Sequence, residues 1–218
     1  MIVEQAVSND VLDMGLLQQT AEPAREVLGI GTIDVVADKG YFRTEDIAAC
    51  EKAGLMPHVP RPERGAVVTN GFFRKDEFRY DAAQDAYVCP GGHELKPIRQ
   101  GRLRDMRKVD YPNASACRDC SLRERCTNSY RAVSRLENED ALDRMEERIA
   151  ERPAILDRRR EIVEHPFGTI KQWMNQGAFL MRGLDKVRAE FSLTALVYNL
   201  RRALNILGVA RLMAAVAG

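Results

Sequence analysis

Thr32-Ile33-Asp34-Val35-Val36-Ala37, running into Asp38-Lys39-Gly40-Tyr41, is the stretch that decides how this chain folds. An unbroken, mostly apolar run rich in β-branched residues suits a sheet strand covered by helices. It ends in a polar turn whose glycine lets the chain bend. A carboxylate, Asp38, therefore stands at the carboxyl end of a strand, where open α/β sheets place their ligands.

Outward from this stretch, strands and helices alternate. Ile2-Val3 and Ala6-Val7 read as a short strand, closed by Ser8-Asn9-Asp10. Over residues 11–28, Leu12, Leu16, Leu17, Ala24, Val27 and Leu28 recur at helical spacing; Pro23 is expected to kink or divide that helix, and Gly29 and Gly31 to end it. Residues 44–53 form a second expected helix, capped by Thr44 and stopped at Gly54, and residues 56–60 a further strand. Such alternation implies a parallel α/β layer.

Over residues 61–137 the character changes. Short alternating pieces at 78–80, 86–88, 95–98 and 103–109 lie among Gly, Pro and four of the five cysteines, which implies a small antiparallel insertion. Two helical stretches follow, 138–165 and 186–207. The second carries Val187, Phe191, Leu196, Val197, Leu200, Leu204 and Leu207 on one stripe, expected to cover the core.

The 218 residues carry a net charge of only +1, but the sum conceals segregation. Residues 1–98 have net −6, 99–135 net +6, 136–165 net −4 and 166–218 net +5. Alternating blocks of this kind suit either solvated faces or a surface in which one part meets phosphate and another holds cations. No apolar run approaches the roughly 18 residues of a spanning helix, and the start lacks a secretory pattern, so no membrane partner is expected. An odd count of five cysteines without an export signal points to a reducing, cytoplasmic setting, with thiols used for metal or packing.

Cys89-Pro90-Gly91-Gly92-His93, then Cys117-Arg118-Asp119-Cys120, then Cys126 set out the thiols. A two-residue gap between cysteines lets backbone fold around tetrahedral Zn²⁺, and His93 offers an alternative ligand. Reduced structural thiols or a redox pair fit the same spacing. With zinc, Arg99, Arg102, Arg104, Arg118, Arg123 and Arg125 make a metal-stapled basic knob suited to a phosphate backbone. A second constellation joins Asp38 to Glu164, within Arg160-Glu161-Ile162-Val163-Glu164-His165-Pro166-Phe167-Gly168-Thr169-Ile170-Lys171. Carboxylates from separate elements hold paired Mg²⁺ ions in phosphodiester chemistry, although two such residues so far apart in sequence are also what solvated carboxylates look like.

Asp38-Lys39-Gly40-Tyr41 after an apolar strand, the Cys-Pro-Gly-Gly-His piece, the Cys-x-x-Cys pair, Val163-Glu164-His165-Pro166-Phe167-Gly168 and the tail Leu196-Val197-Tyr198-Asn199-Leu200-Arg201-Arg202 together resemble the DDE transposases of bacterial insertion sequences. The resemblance implies an incomplete RNase H-like mixed sheet with flanking helices and a β-rich insertion, which the cysteine spacing makes a candidate zinc-binding one. It divides the chain into a first part of the catalytic core (1–60, from strand three onward), the insertion (61–137) and the helical remainder of the core (138–218). It implies that Asp38 is the second catalytic Asp and Glu164 the catalytic Glu, both Mg²⁺ ligands, with Arg160 and Lys171 holding DNA, and with Asp157 where the family signature has tyrosine. Cys89, Cys117, Cys120 and Cys126 become the Zn²⁺ ligands. The partner implied is double-stranded transposon-end DNA, bound by a homodimer in a synaptic complex.

The family's first catalytic Asp has no counterpart, so the core is expected to be incomplete and the chain inactive alone. Asp10 and Asp13 are expected to cap a helix instead. The competing reading is a non-catalytic DNA-binding remnant or regulator of transposition; a more distant one is a zinc-stapled interaction protein. Trp173 is expected to anchor the core rather than stack on a base, and Cys50 to be a buried thiol.

Overall fold

The computed structural model describes residues 1–63, 65–103 and 106–217, the side chains of 66, 160, 216 and 217 excepted. The chain forms two compact units, one made of Met1–Pro60 with Ala141–Gly218 and the other of Arg61–Asp140.

The first unit is built on a parallel pair, β1 (Ile33–Val36) and β2 (Leu55–His58), with Ile33 opposite Leu55 and Val36 opposite His58. Helix α1 (Leu17–Leu28) precedes β1 and α2 (Thr44–Lys52) connects the two strands. Alternation along β1 sends Ile33 and Val35 into a core of Leu17, Ile47, Cys50, Leu55, Val59, Leu142 and Met145. Burial pushes the Cys50 thiol up to about 12, so it is an inert packing group.

Helix α1 starts six residues later than the periodicity implies. Its first amides are capped from a distance: Leu17 N–H donates to Asp46 Oδ2 at 2.8 Å and Gln18 N–H to Asp46 Oδ1 at 3.2 Å. Asp10 and Asp13 therefore do not cap it. Pro23 is accommodated inside the helix, which ends at Gly29 in the left-handed conformation (φ 63°).

Residues 2–7 form no strand. Instead the side-chain amide of Asn199 takes both backbone groups of Ile2, accepting its N–H at 2.7 Å and donating to its carbonyl at 2.6 Å. The Arg188 guanidinium donates to the Val7 carbonyl. A side chain has taken the place of a ladder partner, as backbone groups require some partner once water is displaced.

In the second unit β3 (Arg79–Asp81), β4 (Ala86–Val88) and β5 (Glu94–Leu95) form one antiparallel sheet, and β6 (Arg99–Leu103), β7 (Met106–Pro112) and β8 (Ala132–Leu136) another. Short helices α3 (Ala66–Asn70) and α4 (Ala114–Arg118) lie in the connections. The core is Phe73, Phe78, Tyr87, Leu95, Tyr111 and Val133. Tyr80 and Tyr111 both donate to Asp85, at 2.8 and 2.6 Å, closing the ring cluster at the β3–β4 turn. Buried Glu139 takes Arg61 at 2.9 Å together with Lys75 and the Leu136 N–H; the two cations hold its carboxyl down against burial.

Helices α5 (Glu139–Glu151), α6 (Ala154–Gly168), α7 (Leu184–Leu207) and α8 (Val209–Ala217) complete the chain. Two expectations fail here. The 138–165 stretch is two helices, broken at Pro153. On α7 the buried residues are Thr194, Ala195 and Tyr198, while Leu193, Leu196, Val197 and Leu200 are exposed on the opposite side of the helix.

The fold class is α/β. Its first unit holds, among the described residues, a two-stranded parallel sheet where a larger mixed sheet was expected. No helix among the described residues is long and apolar enough to cross a membrane.

Candidate functional site

The end of β1 sets Asp38 in place. Its Oδ1 accepts the Gly40 N–H at 2.7 Å, capping the 3-10 turn Lys39–Tyr41, which leaves Oδ2 facing Arg159 Nη1 at 3.9 Å. Gly40 is glycine for space: a Cβ there would lie 2.8 Å from Asp38 Oδ1 and 3.8 Å from Asp13 Oδ2. Asp13 therefore shares this turn with Asp38. Burial, aided by these two carboxylates, pushes the Tyr41 hydroxyl up.

Helix α6 packs against β1, which is how Arg159 reaches Asp38. Glu164 lies on the same helix, exposed, five positions further on. Ideal helix geometry puts it about 7.5 Å along the axis and roughly 140° around from Arg159. The helical stretch expected to end at 165 continues through Pro166 to Gly168; the irregularity follows as a π-turn, Thr169–Trp173, in which Met174 N–H reaches back to the Thr169 carbonyl at 3.1 Å. Lys171 is exposed on that turn. Trp173 is no core anchor: it is 74% exposed, with the Arg201 guanidinium 5.9 Å from its ring centre. The side chain of Arg160 lies outside the described residues, as do Arg104 and Asp105 entirely.

On the face of β1 opposite Ile33 and Val35, Arg152 grips Asp34 with both guanidinium nitrogens at 2.8 Å, and His58 Nε2 stands 2.9 Å from Asp34 Oδ1. The Arg152 fork, with His58 behind it, holds the Asp34 carboxyl far below the usual carboxylate range. His58 is fully buried, and its Nδ1 makes no hydrogen bond among the described residues. This cluster was not legible in sequence, because Arg152 lies 118 positions from Asp34. Arg152 stands in the break between α5 and α6, so no helical spacing marks it.

In the second unit the cysteines converge. Cys89, Cys117, Cys120, Cys126 and His93 line one cavity of about 20 Å³. The Cys89–His93 piece is a tight turn, Cys89 N–H bonding the His93 carbonyl at 3.0 Å and Gly92 N–H the Cys89 carbonyl at 2.8 Å. A Cβ on Gly91 would lie 3.4 Å from Cys120 Sγ and 3.7 Å from Cys89 Sγ, so glycine there lets the two thiols approach. Burial raises the Cys126 thiol; Arg131 opposes this, and the other three thiols add to it. As the side chains stand, no group of three or more His, Cys, Asp or Glu among the described residues is arranged to hold a metal ion.

A family model described as "Transposase DDE domain" matches residues 88–204, more than half of the chain. The span contains Glu164, Arg160, Lys171 and all four clustered cysteines; Asp38 falls before it. No curated protein gives a significant match, and no solved structure does.

Proposed function

Because this chain belongs to the family of transposase DDE domains, with a role in DNA transposition, we propose that Asp38 and Glu164 are its metal-binding carboxylates and that it acts on transposon-end DNA by Mg²⁺-dependent phosphoryl transfer. The observation that carries this reading is the docking of α6, the helix of Glu164, against β1, the strand that leads into Asp38. Mg²⁺ is commonly held by one or two carboxylates together with substrate phosphate; Asp38 and Glu164 are donors of that kind, and because Glu164 stands about 140° around α6 from the side that faces Asp38, joint binding requires α6 to turn. When bound there the ion supplies Lewis-acid activation of the attacking oxygen and stabilisation of the leaving one.

The chain's own residues do the rest. Gly40 N–H fixes one oxygen of Asp38 and leaves the other outward. Arg159 partly neutralises that outward oxygen and is free to swing to a DNA phosphate when a cation takes its place. Lys171, exposed on the π-turn beyond Glu164, and Arg160 on α6 are further phosphate-holding cations, and a synaptic homodimer is the assembly this activity implies. The sheet of the first unit is, on this reading, part of an RNase H-like core.

The test is nicking of duplex DNA carrying the ends that flank its own gene, with Mg²⁺ or Mn²⁺. Metal-dependent nicking lost in Glu164→Gln supports the carboxylate assignment and overturns the expectation that the chain is inactive alone. Nicking that persists in Glu164→Gln contradicts the assignment; DNA binding without nicking under any metal favours a non-catalytic regulator of transposition.

The cavity shared by Cys89, Cys117, Cys120 and Cys126 supports a second reading, structural Zn²⁺ in the second unit. The donor chemistry fits, and binding would draw the sulfurs inward from where they stand. Purified chain is expected to carry about one zinc, lost in Cys120→Ser. Zinc-free protein with all thiols reactive would overturn this.

A further inference from the structure

Between the π-turn and α7 the chain carries an exposed apolar tip, Phe179-Leu180-Met181. Leu180 is 91% exposed, Met181 54% and Phe179 48%. A lone exposed leucine is ordinary on a protein surface. Three adjacent apolar side chains on a loose loop would fold back onto a neighbouring helix, because that removes them from water. Here the backbone is fixed instead. One carboxylate, Glu190 on α7, accepts the Leu180 N–H at 3.0 and 3.1 Å, the Met181 N–H at 2.9 Å and the Gln176 side-chain amide at 3.3 Å. Phe179 lies edge-on against Phe191, with ring centres 6.2 Å apart. The tip is thus anchored at its base by Phe179 and Glu190, and Leu180 is the side chain it presents.

The surroundings indicate what it is presented to. Arg182 follows the tip directly and Lys186 stands on the first turn of α7; both are exposed, and neither forms an ion pair among the described residues. Asp185, the acid between them, faces Arg188 at 3.8 Å. An apolar point beside two unpaired cations does not suit a second protein's apolar groove, where the cations would lose water without gaining a partner. It suits a base step of duplex DNA. Apolar side chains such as Leu, Met and Phe part stacked bases there, and phosphates on either side take the cations. A wedge also works best when its own backbone is ordered beforehand, which the Glu190 anchor provides.

We propose that Leu180 is a wedge that enters a base step of the transposon-end duplex, with Arg182 and Lys186 on flanking phosphates and Glu190 positioning the tip. The proposal rests on the DNA-binding reading above and adds to it a residue that deforms the duplex.

The experiment uses 2-aminopurine, a fluorescent adenine analogue quenched by stacking. It is placed in turn at each pyrimidine–adenine step, the steps most easily unstacked, of the duplex that flanks the chain's own gene, and the full chain is added. The parent chain is expected to raise the fluorescence at one step. Leu180→Ala should lose that rise while keeping the slope of log K against log salt, because no phosphate contact is removed. Its melting temperature should match the parent's, since the side chain is exposed. Leu180→Met keeps an apolar probe and should keep the rise. Glu190→Ala, which releases the tip, should lose most of it, and Glu190→Gln, which retains an acceptor oxygen, should restore part. A rise that persists undiminished in Leu180→Ala overturns the wedge, as does duplex binding with no rise at any step; in both cases the DNA-binding reading stands. A DNA-free dimer in sedimentation that Leu180→Ala dissolves assigns the tip to a second copy and overturns the wedge too. If the parent chain does not bind duplex at all, the wedge and the DNA-binding reading both fall.

Discussion

The two units solve the same problem, a small core, by different means. The second is knit around aromatic rings and one buried ion cluster: tyrosines around Asp85, arginines over Phe73, Phe78 and Tyr80, and the buried carboxylate Glu139 between two cations. The first is held at its edges by ion pairs and a remote helix cap, Arg152 on Asp34, Arg144 and Arg148 on Glu51, and Asp46 at the start of α1. It also leaves apolar residues of α7 and α8 exposed. The second unit is braced from within, whereas the first gathers charged groups around a two-stranded sheet.

The largest expected effect tests that bracing. Glu139→Gln leaves Arg61 and Lys75 facing a neutral, buried amide, and unfolding in urea should show a loss of about 3 kcal/mol. Leu55→Ala in the first unit should cost a similar amount, about 3 kcal/mol, by cavity formation. If the two variants melt the same unit, by hydrogen exchange, the contrast between the units fails. Asp46→Ala should cost about 1 kcal/mol and show its exchange increase first in α1, whose opening amides it caps.

A smaller effect concerns pH. The folded-state acidity of Asp34 is greater than that of an unfolded aspartate, so its contribution is present above the ordinary carboxylate value near 4. It is lost as pH falls below that value. The side chain is 42% exposed, so screening leaves less than about 1 kcal/mol. Asp34→Asn should flatten the acid limb of the first unit's stability curve; an unchanged limb would show that the Arg152 fork contributes nothing. Smallest in stability is Gly40→Ala. It should leave the melting temperature nearly unchanged yet displace the Asp38 carboxylate, read as weakened Mn²⁺ binding.

Local pattern made much of this legible. The apolar run into Asp38, the stop at Gly29, the helix over 44–53 and the antiparallel pieces of the insertion all follow from neighbours in sequence. What was not legible depended on distant partners. Residues 2–7 have strand-forming side chains, but Asn199 takes the backbone of Ile2 and Arg188 the carbonyl of Val7. Asp13 looked like a cap because Asp46, the true cap, lies in another helix. The α7 stripe is periodic, but periodicity does not say which of two apolar sides is covered, and the covered side carries Thr194 and Tyr198. Pro166 stands inside a helix that absorbs it and relaxes into a π-turn beyond. At the site, type and order of residues pointed to Asp38 and Glu164, while the group that stands against Asp38, Arg159, is set by the packing of α6 on β1.

The central claim is that Asp38 and Glu164 serve one divalent cation. Electron paramagnetic resonance of Mn²⁺ titrated into the full chain with duplex DNA tests it most directly. The account predicts a saturable class of bound Mn²⁺ that is lost in Asp38→Asn and equally in Glu164→Gln, each folded as judged by its melting temperature. Mn²⁺ binding that survives both substitutions, or that is lost in only one of them, would contradict it.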